Sequence, residues 1–127
     1  MKIIVQKFGG TSVATAEARI AARNKVSEAI KAGFTPAVVV SAMGRKGEPY
    51  ATDSLIEIIK KENSAVDSRD LDTIMCCGEL ISAAVMAASL QSVGINAAAL
   101  TGGQAGIKTD ANFGDAKIRN INPENLL

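Results

Sequence analysis

The chain has 127 residues, with 14 Lys+Arg against 13 Asp+Glu, no His and a formal charge of +1. That length fits about one domain, and 47% apolar with 21% charged residues excludes wholesale disorder. Near-zero charge and 3% aromatics leave no basic surface or stacking platform for nucleic acid and no general pull towards anionic membranes. The absence of His excludes Ser-His and Cys-His nucleophile systems and His-ligated zinc.

In chain order, the β-branched run Ile3-Ile4-Val5 predicts a first strand that ends at Lys7-Phe8-Gly9-Gly10-Thr11-Ser12. A helix is expected to start at Thr15 as N-cap, with Glu17 in its first turn. Ala18, Ala22, Val26 and Ile30 form its apolar stripe with Ala29 beside it, and Gly33 closes it. Ala37–Val40 has no polar alternation and predicts a second strand covered on both faces. Ser41-Ala42-Met43-Gly44 leaves that strand for a polar loop through Pro49. Leu55, Ile56, Ile58 and Ile59 predict a short helix with Asp53 as its cap, and 63–70 is a polar connection. A small-residue helix is expected from about Asp70 to Val93, open to a break at Gly78 and stopped by Gly94. Ile95–Leu100 is the third predicted strand, ending in Thr101-Gly102-Gly103-Gln104-Ala105-Gly106.

Asn122-Pro123-Glu124 then reads as a helix start. Leu127 follows within one turn, so the expectation is an N-terminal piece of a longer protein. Strands alternating with helices predict an α/β fold, a mainly parallel sheet between helix layers joined by right-handed crossovers. Cys76 and Cys77 are adjacent and so cannot form a disulfide framework; they are expected to be reduced, small core residues. No signal-peptide pattern opens the chain and no apolar run is read as membrane-spanning, so a cytoplasmic protein is expected.

Three glycine-containing loops are the candidates for chemistry. Lys7-Phe8-Gly9-Gly10-Thr11-Ser12 joins strand to helix, where backbone N–H groups can face an anion, two glycines let a phosphate approach, and Lys7 adds a positive charge. It matches neither the P-loop nor the dinucleotide fingerprint, and a plain turn with a solvated lysine is the other reading. Ser41 and Thr101-Gly102-Gly103 follow predicted strands, at the carboxyl edge where open α/β sheets collect ligands; a hydroxyl capping a strand end is the alternative for Ser41. Glu79, within Met75-Cys76-Cys77-Gly78-Glu79-Leu80-Ile81-Ser82, is either a helix-dipole partner or a carboxylate facing a polar ligand. Thr52-Asp53 reads as a helix cap, and Arg45-Lys46-Gly47-Glu48 as a solvated loop.

Together these blocks resemble the aspartate kinases of the amino acid kinase family. Val5 to Val13 looks like that family's opening. Val39-Val40-Ser41-Ala42-Met43-Gly44, Gly78-Glu79-Leu80-Ile81-Ser82 and Thr101 to Gly106 match its later blocks in the same order. The resemblance implies a three-layer α/β/α sandwich of the amino acid kinase (carbamate kinase-like) type, here incomplete, with residues 1–127 as the N-terminal part of the kinase domain. It implies transfer of phosphate from ATP, supplied with Mg²⁺, to the side-chain carboxylate of L-aspartate, at the entry to lysine, threonine and methionine synthesis. It places Lys7, the catalytic residue, with Phe8, Gly9 and Gly10 at the nucleotide, and Ser41, Thr52 and Glu79 around aspartate, with no protein metal ligands identified. The Thr52 match follows a loop, Arg45–Tyr50, longer than in many relatives. Glu79 would pair with the substrate ammonium while Ser41 orients the reacting carboxylate. The family's downstream Gly-Arg-Gly-Gly-Ser-Asp-type segment and its regulatory ACT region have no counterpart in the chain, so the piece alone is expected to be inactive and to self-associate through exposed apolar surface. Another amino acid kinase, acting on glutamate, acetylglutamate or a nucleotide, and a non-catalytic phosphate-binding or interaction module are the competing readings.

Overall fold

The β-branched residues near the N-terminus form a strand, β1 (Lys2–Phe8), in the computed structural model of the protein, which describes residues 2–126. Met1 and Leu127 lie outside the described residues, and with them the two ends of the expected 1–127 unit. The glycine pair opens a single helical turn, α1 (Gly10–Val13), which the sequence reading missed. Then α2 (Ala16–Lys31) begins as expected: Thr15 Oγ1 accepts a hydrogen bond from the Ala18 N–H at 3.1 Å. Gly33, in the left-handed region at φ +85, turns the chain into β2 (Phe34–Val40). That position favours glycine because only a residue without Cβ enters it freely. Thr15→Ala should lower stability by about 1 kcal/mol, read as a lowered urea midpoint with an unchanged slope.

β1 and β2 pair in parallel, Lys2 with Phe34 through Phe8 with Val40, around the crossover α2. The expectation that β2 is covered on both faces is corrected: it is half-buried, and Val39 is 48% exposed. Its free edge faces an open cleft of about 570 Å³. Next come α3 (Thr52–Glu62) and α4 (Ser68–Gln91). The cap of α3 is Ala51, not Asp53, which sits in the first turn. Asp67 caps α4 by accepting from the Arg69 N–H at 2.8 Å.

No break occurs at Gly78, which is buried inside an unbroken α4. This helix is long and apolar enough to cross a membrane, with a mean hydropathy of 1.7 over its most apolar window, contrary to the sequence reading. In the fold its buried stripe, Gly78, Ser82, Met86, Ala87 and Leu90, belongs to a helix that packs on α2, α3 and β2. The core joins Val13, Ala22, Val26, Met43, Met86 and Leu90, with Phe8 and Val40 packed against it.

Ile95–Leu100 is not a strand: it has no ladder partner among the described residues. The segment is tied to the end of α4 by Ile95 N–H to Leu90 O and by Gln91 Nε2 to Ala97 O, and it lines the same cleft as Thr35–Val40. Ala97-Ala98-Ala99 has little intrinsic preference for a pleated strand, so pairing would have to come entirely from a neighbour. A separate antiparallel hairpin, missed by the sequence reading, is made by β3 (Ile107–Thr109) and β4 (Ile118–Ile121). Asn122-Pro123-Glu124 does start a helical turn, a 3₁₀ turn over Pro123–Leu126 with Asn122 Oδ1 accepting from the Glu124 N–H.

Asp110 organises the hairpin loop. Its carboxyl lies below the ordinary range, first because the Asn112 and Lys117 N–H groups donate to it, then because Arg119 bonds to it. A depressed carboxyl supports the fold above the ordinary carboxylate pKa and stops doing so as pH falls through the lowered value. The Asn112 and Lys117 amide resonances should therefore titrate together below the ordinary Asp range; pH-independent shifts would refute that loop geometry.

Candidate active site

The first loop and the loop after β2 are in direct backbone contact. Ser41 N–H donates to Phe8 O at 3.2 Å, and Gly44 N–H donates to Gly10 O at 3.1 Å. Glycine is required at position 10 by this approach: a Cβ there would lie 2.5 Å from Ala42 O and 3.0 Å from Gly44 O. Strand alternation points Lys7 and Phe8 to opposite faces. Phe8 accordingly packs against the core, and Lys7 is exposed with its ammonium 3.9 Å from where a Cβ of Gly9 would stand. The positive charge thus lies on the side of Gly9 where a side chain would project.

On its other side the Ser41–Gly44 loop rests on α4. Glu79 Oε1 accepts from the Ala42 N–H at 3.2 Å. Beside it, a Cβ on Gly78 would meet Ala42 Cβ at 2.8 Å, Leu55 Cδ1 at 3.1 Å and Tyr50 O at 3.3 Å. Gly78 is therefore a contact glycine that lets α4 reach both the Ser41 loop and the start of α3, where Thr52 lies half-buried. Buried Ala42 is the hub, held between Gly10 and the Gly78-Glu79 pair. Sequence reading missed Ala42 and the packing role of Gly78. The signal available was a glycine inside an otherwise continuous helix-forming run, which more often marks close approach than a break.

Glu79 also lines the 570 Å³ cleft, with Cys76 one turn before it and Thr101, Gly102 and Ala105 of the third glycine loop. That loop is locked by two reciprocal bonds, Gln104 Oε1 accepting from Thr101 N–H and Thr101 Oγ1 accepting from Gln104 N–H. It thus meets Glu79 through the cleft, whereas the first two loops meet each other through hydrogen bonds. Cys76 and Cys77 are free, but both are exposed, which corrects their reading as core residues. Their positions on α4 fall outside its buried stripe. Partial desolvation, then Cys77 and Glu79, pushes the Cys76 thiol up, so it faces the cleft in its protonated, less nucleophilic form. Arg45, Lys46 and Glu48 are exposed, as expected of a solvated loop; Glu48 Oε2 accepts from the Arg45 N–H at 2.5 Å and closes it.

Lys7 beside Gly9 and Glu79 beneath Ala42 are thus set into an α/β fold, and comparison with known proteins gives that fold a family. The chain belongs to the amino acid kinase family, whose family model matches residues 2–127. It is 51% identical over 126 residues to Aspartokinase 1 of Bacillus subtilis, covering 99% of this chain and 31% of that protein. It is 43% identical over 121 residues to an aspartokinase of Geobacillus stearothermophilus, covering 95% of this chain and 28% of that one. Its fold superposes on the crystal structure of aspartate kinase from Synechocystis with a TM-score of 0.72 and 35% identity, over 83% of this chain and 17% of the other. The chain therefore spans about a third of the length of the curated relatives it matches.

Proposed function

We propose that residues 1–127 are the N-terminal part of the kinase domain of an aspartate kinase, an enzyme that phosphorylates the side-chain carboxylate of L-aspartate. The observation that carries this reading is the Ala42 hub, which joins the Lys7-Gly9-Gly10 loop to Ser41 on one side and to Glu79 on the other. In the reaction a carboxylate oxygen of aspartate attacks the γ-phosphorus of ATP, the bond to ADP breaks, and 4-phospho-L-aspartate forms. The attacking oxygen is already ionised, so no general base is needed, and a chain without His is no obstacle. Positioning and charge cancellation do the work.

Lys7 neutralises charge on the phosphates, which approach the bare Gly9-Gly10 backbone; the open space beside Gly9, where a Cβ would stand 3.9 Å from the Lys7 ammonium, fits such a group. The nucleotide brings its own Mg²⁺, which shields charge on the transferring group. Glu79 pairs with the aspartate ammonium from the cleft side, while Ser41 and Thr52 orient the substrate. The reading also carries a cytoplasmic location, supported by two free, exposed thiols. It carries self-association too, supported by exposed Ile3, Val5 and Val39 on the two-stranded sheet.

The test is turnover of Mg-ATP by the full-length polypeptide with aspartate, glutamate, acetylglutamate or a nucleoside monophosphate as acceptor. Acyl phosphate is trapped as the hydroxamate and ADP is followed in parallel. Aspartate alone is expected to give both products, and the 127-residue chain by itself neither. Hydroxamate from glutamate or acetylglutamate but not aspartate would overturn the substrate assignment.

A further inference from the structure

Resting on the kinase reading above, we infer that Arg19 is a positioning residue that holds the phosphate-facing loop and the Ser41–Gly44 loop in register. Arg19 lies in the first turns of α2 and is half-buried. Its Nη1 donates to Val13 O at 2.9 Å and to Ala14 O at 3.0 Å, and stands 3.7 Å from Met43 Sδ. Two hydrogens on that nitrogen serve the two carbonyls, so the sulfur contact is the weaker third interaction. The carbonyls are those at the end of α1, which a one-turn helix cannot satisfy internally. A guanidinium keeps its charge at any working pH and suits the carbonyl end of a helix.

The consequence reaches the site because α1 is only one turn long. Its first residue is Gly10, whose carbonyl accepts from Gly44, and its last is Val13, which is 1% exposed and packs in the same core cluster as Met43. One side chain on α2 therefore grips the far end of the turn that carries the glycine pair and touches the loop that carries Ser41. Releasing it frees the turn to pivot about Gly10. That motion changes how the phosphate donor lies relative to the acceptor carboxylate, while α4 keeps the backbone of Glu79 in place. Misplacement of this kind lowers the rate of the chemical step more than it weakens ground-state binding.

Arg19→Met keeps an unbranched apolar stem and removes the donors; Arg19→Lys returns one cationic donor group. In the full-length polypeptide, Arg19→Met should lower kcat about tenfold while the aspartate KM stays within about twofold, and Arg19→Lys should recover most of the loss. Amide hydrogen exchange should quicken at Val13, Ala14, Met43 and Gly44 in Arg19→Met and remain unchanged along α4. Unchanged exchange at those four amides would overturn the proposal, as would equal kcat losses in the Met and Lys variants. If the unmodified polypeptide turns over no aspartate, the kinase reading fails, and the exchange comparison by itself decides whether Arg19 clamps the two loops.

Discussion

Gly10→Val should disable the site and destabilise the fold together, whereas Gly9→Ala should leave the fold stable and act only on turnover. The Cβ added at position 10 would stand 2.5 Å from Ala42 O and 3.0 Å from Gly44 O, both backbone atoms that cannot rotate away. Relief requires the two loops to separate, which breaks the Gly44 to Gly10 hydrogen bond and lifts the Ser41 loop from α1. Overpacking of this kind costs about 1–3 kcal/mol. A displacement of about 1 Å at a phosphoryl-transfer site is enough to lower turnover about 100-fold.

At Gly9 an added Cβ would have, among the described residues beyond its chain neighbours, only the Lys7 ammonium within 4 Å, at 3.9 Å, and the backbone is extended at φ −72. Alanine therefore fits there, with a stability change within about 0.5 kcal/mol. Urea unfolding of the two variants, with ADP release by each in the full-length polypeptide, separates the outcomes. Equal losses of stability at positions 9 and 10 would mean that the pair acts through loop flexibility and not through contact with Ala42.

The contrast between those two glycines also marks where sequence reading ends. The Thr15 cap, the Gly33 turn and the Asn122-Pro123 helix start were legible because each is decided within about four residues by hydrogen bonds and backbone sterics. Lys7, Gly9, Gly10, Ser41 and Glu79 stand out in the sequence only as members of blocks of residue types. Their connections do not. Arg19 meets Met43 across 24 positions and Glu79 meets Ala42 across 37, and neither pairing leaves a local pattern.

The hairpin was hidden for another reason. Every residue of β3 and β4 is exposed, so no alternation of apolar and polar positions announces them. Asp110 and its bonds to Asn112 and Lys117 shape the turn instead. The Ile95–Leu100 run failed in the opposite direction: an apolar stretch of strand length has no ladder partner among the described residues.

Glu79→Gln should raise the aspartate KM by about 10–100-fold, the span expected for a charge-assisted bond of about 1.5–3 kcal/mol, and leave the ATP KM unchanged. The substitution is informative because Glu79 has two duties. One oxygen accepts from the Ala42 N–H and holds the Ser41 loop against α4, while the side chain also lines the cleft where the substrate ammonium is proposed to lie. A glutamine carbonyl oxygen still accepts from that amide, so the loop keeps its support and only the negative charge is removed. Glu79→Ala removes both, and should lower stability and turnover in addition to raising the KM. If Glu79→Gln binds aspartate normally while Glu79→Ala loses activity, the carboxylate serves only as a loop support, and the ammonium must be met by another group. If both variants raise the aspartate KM and only alanine lowers the urea midpoint, recognition and support reside in the same side chain, divided between its charge and its hydrogen-bond geometry.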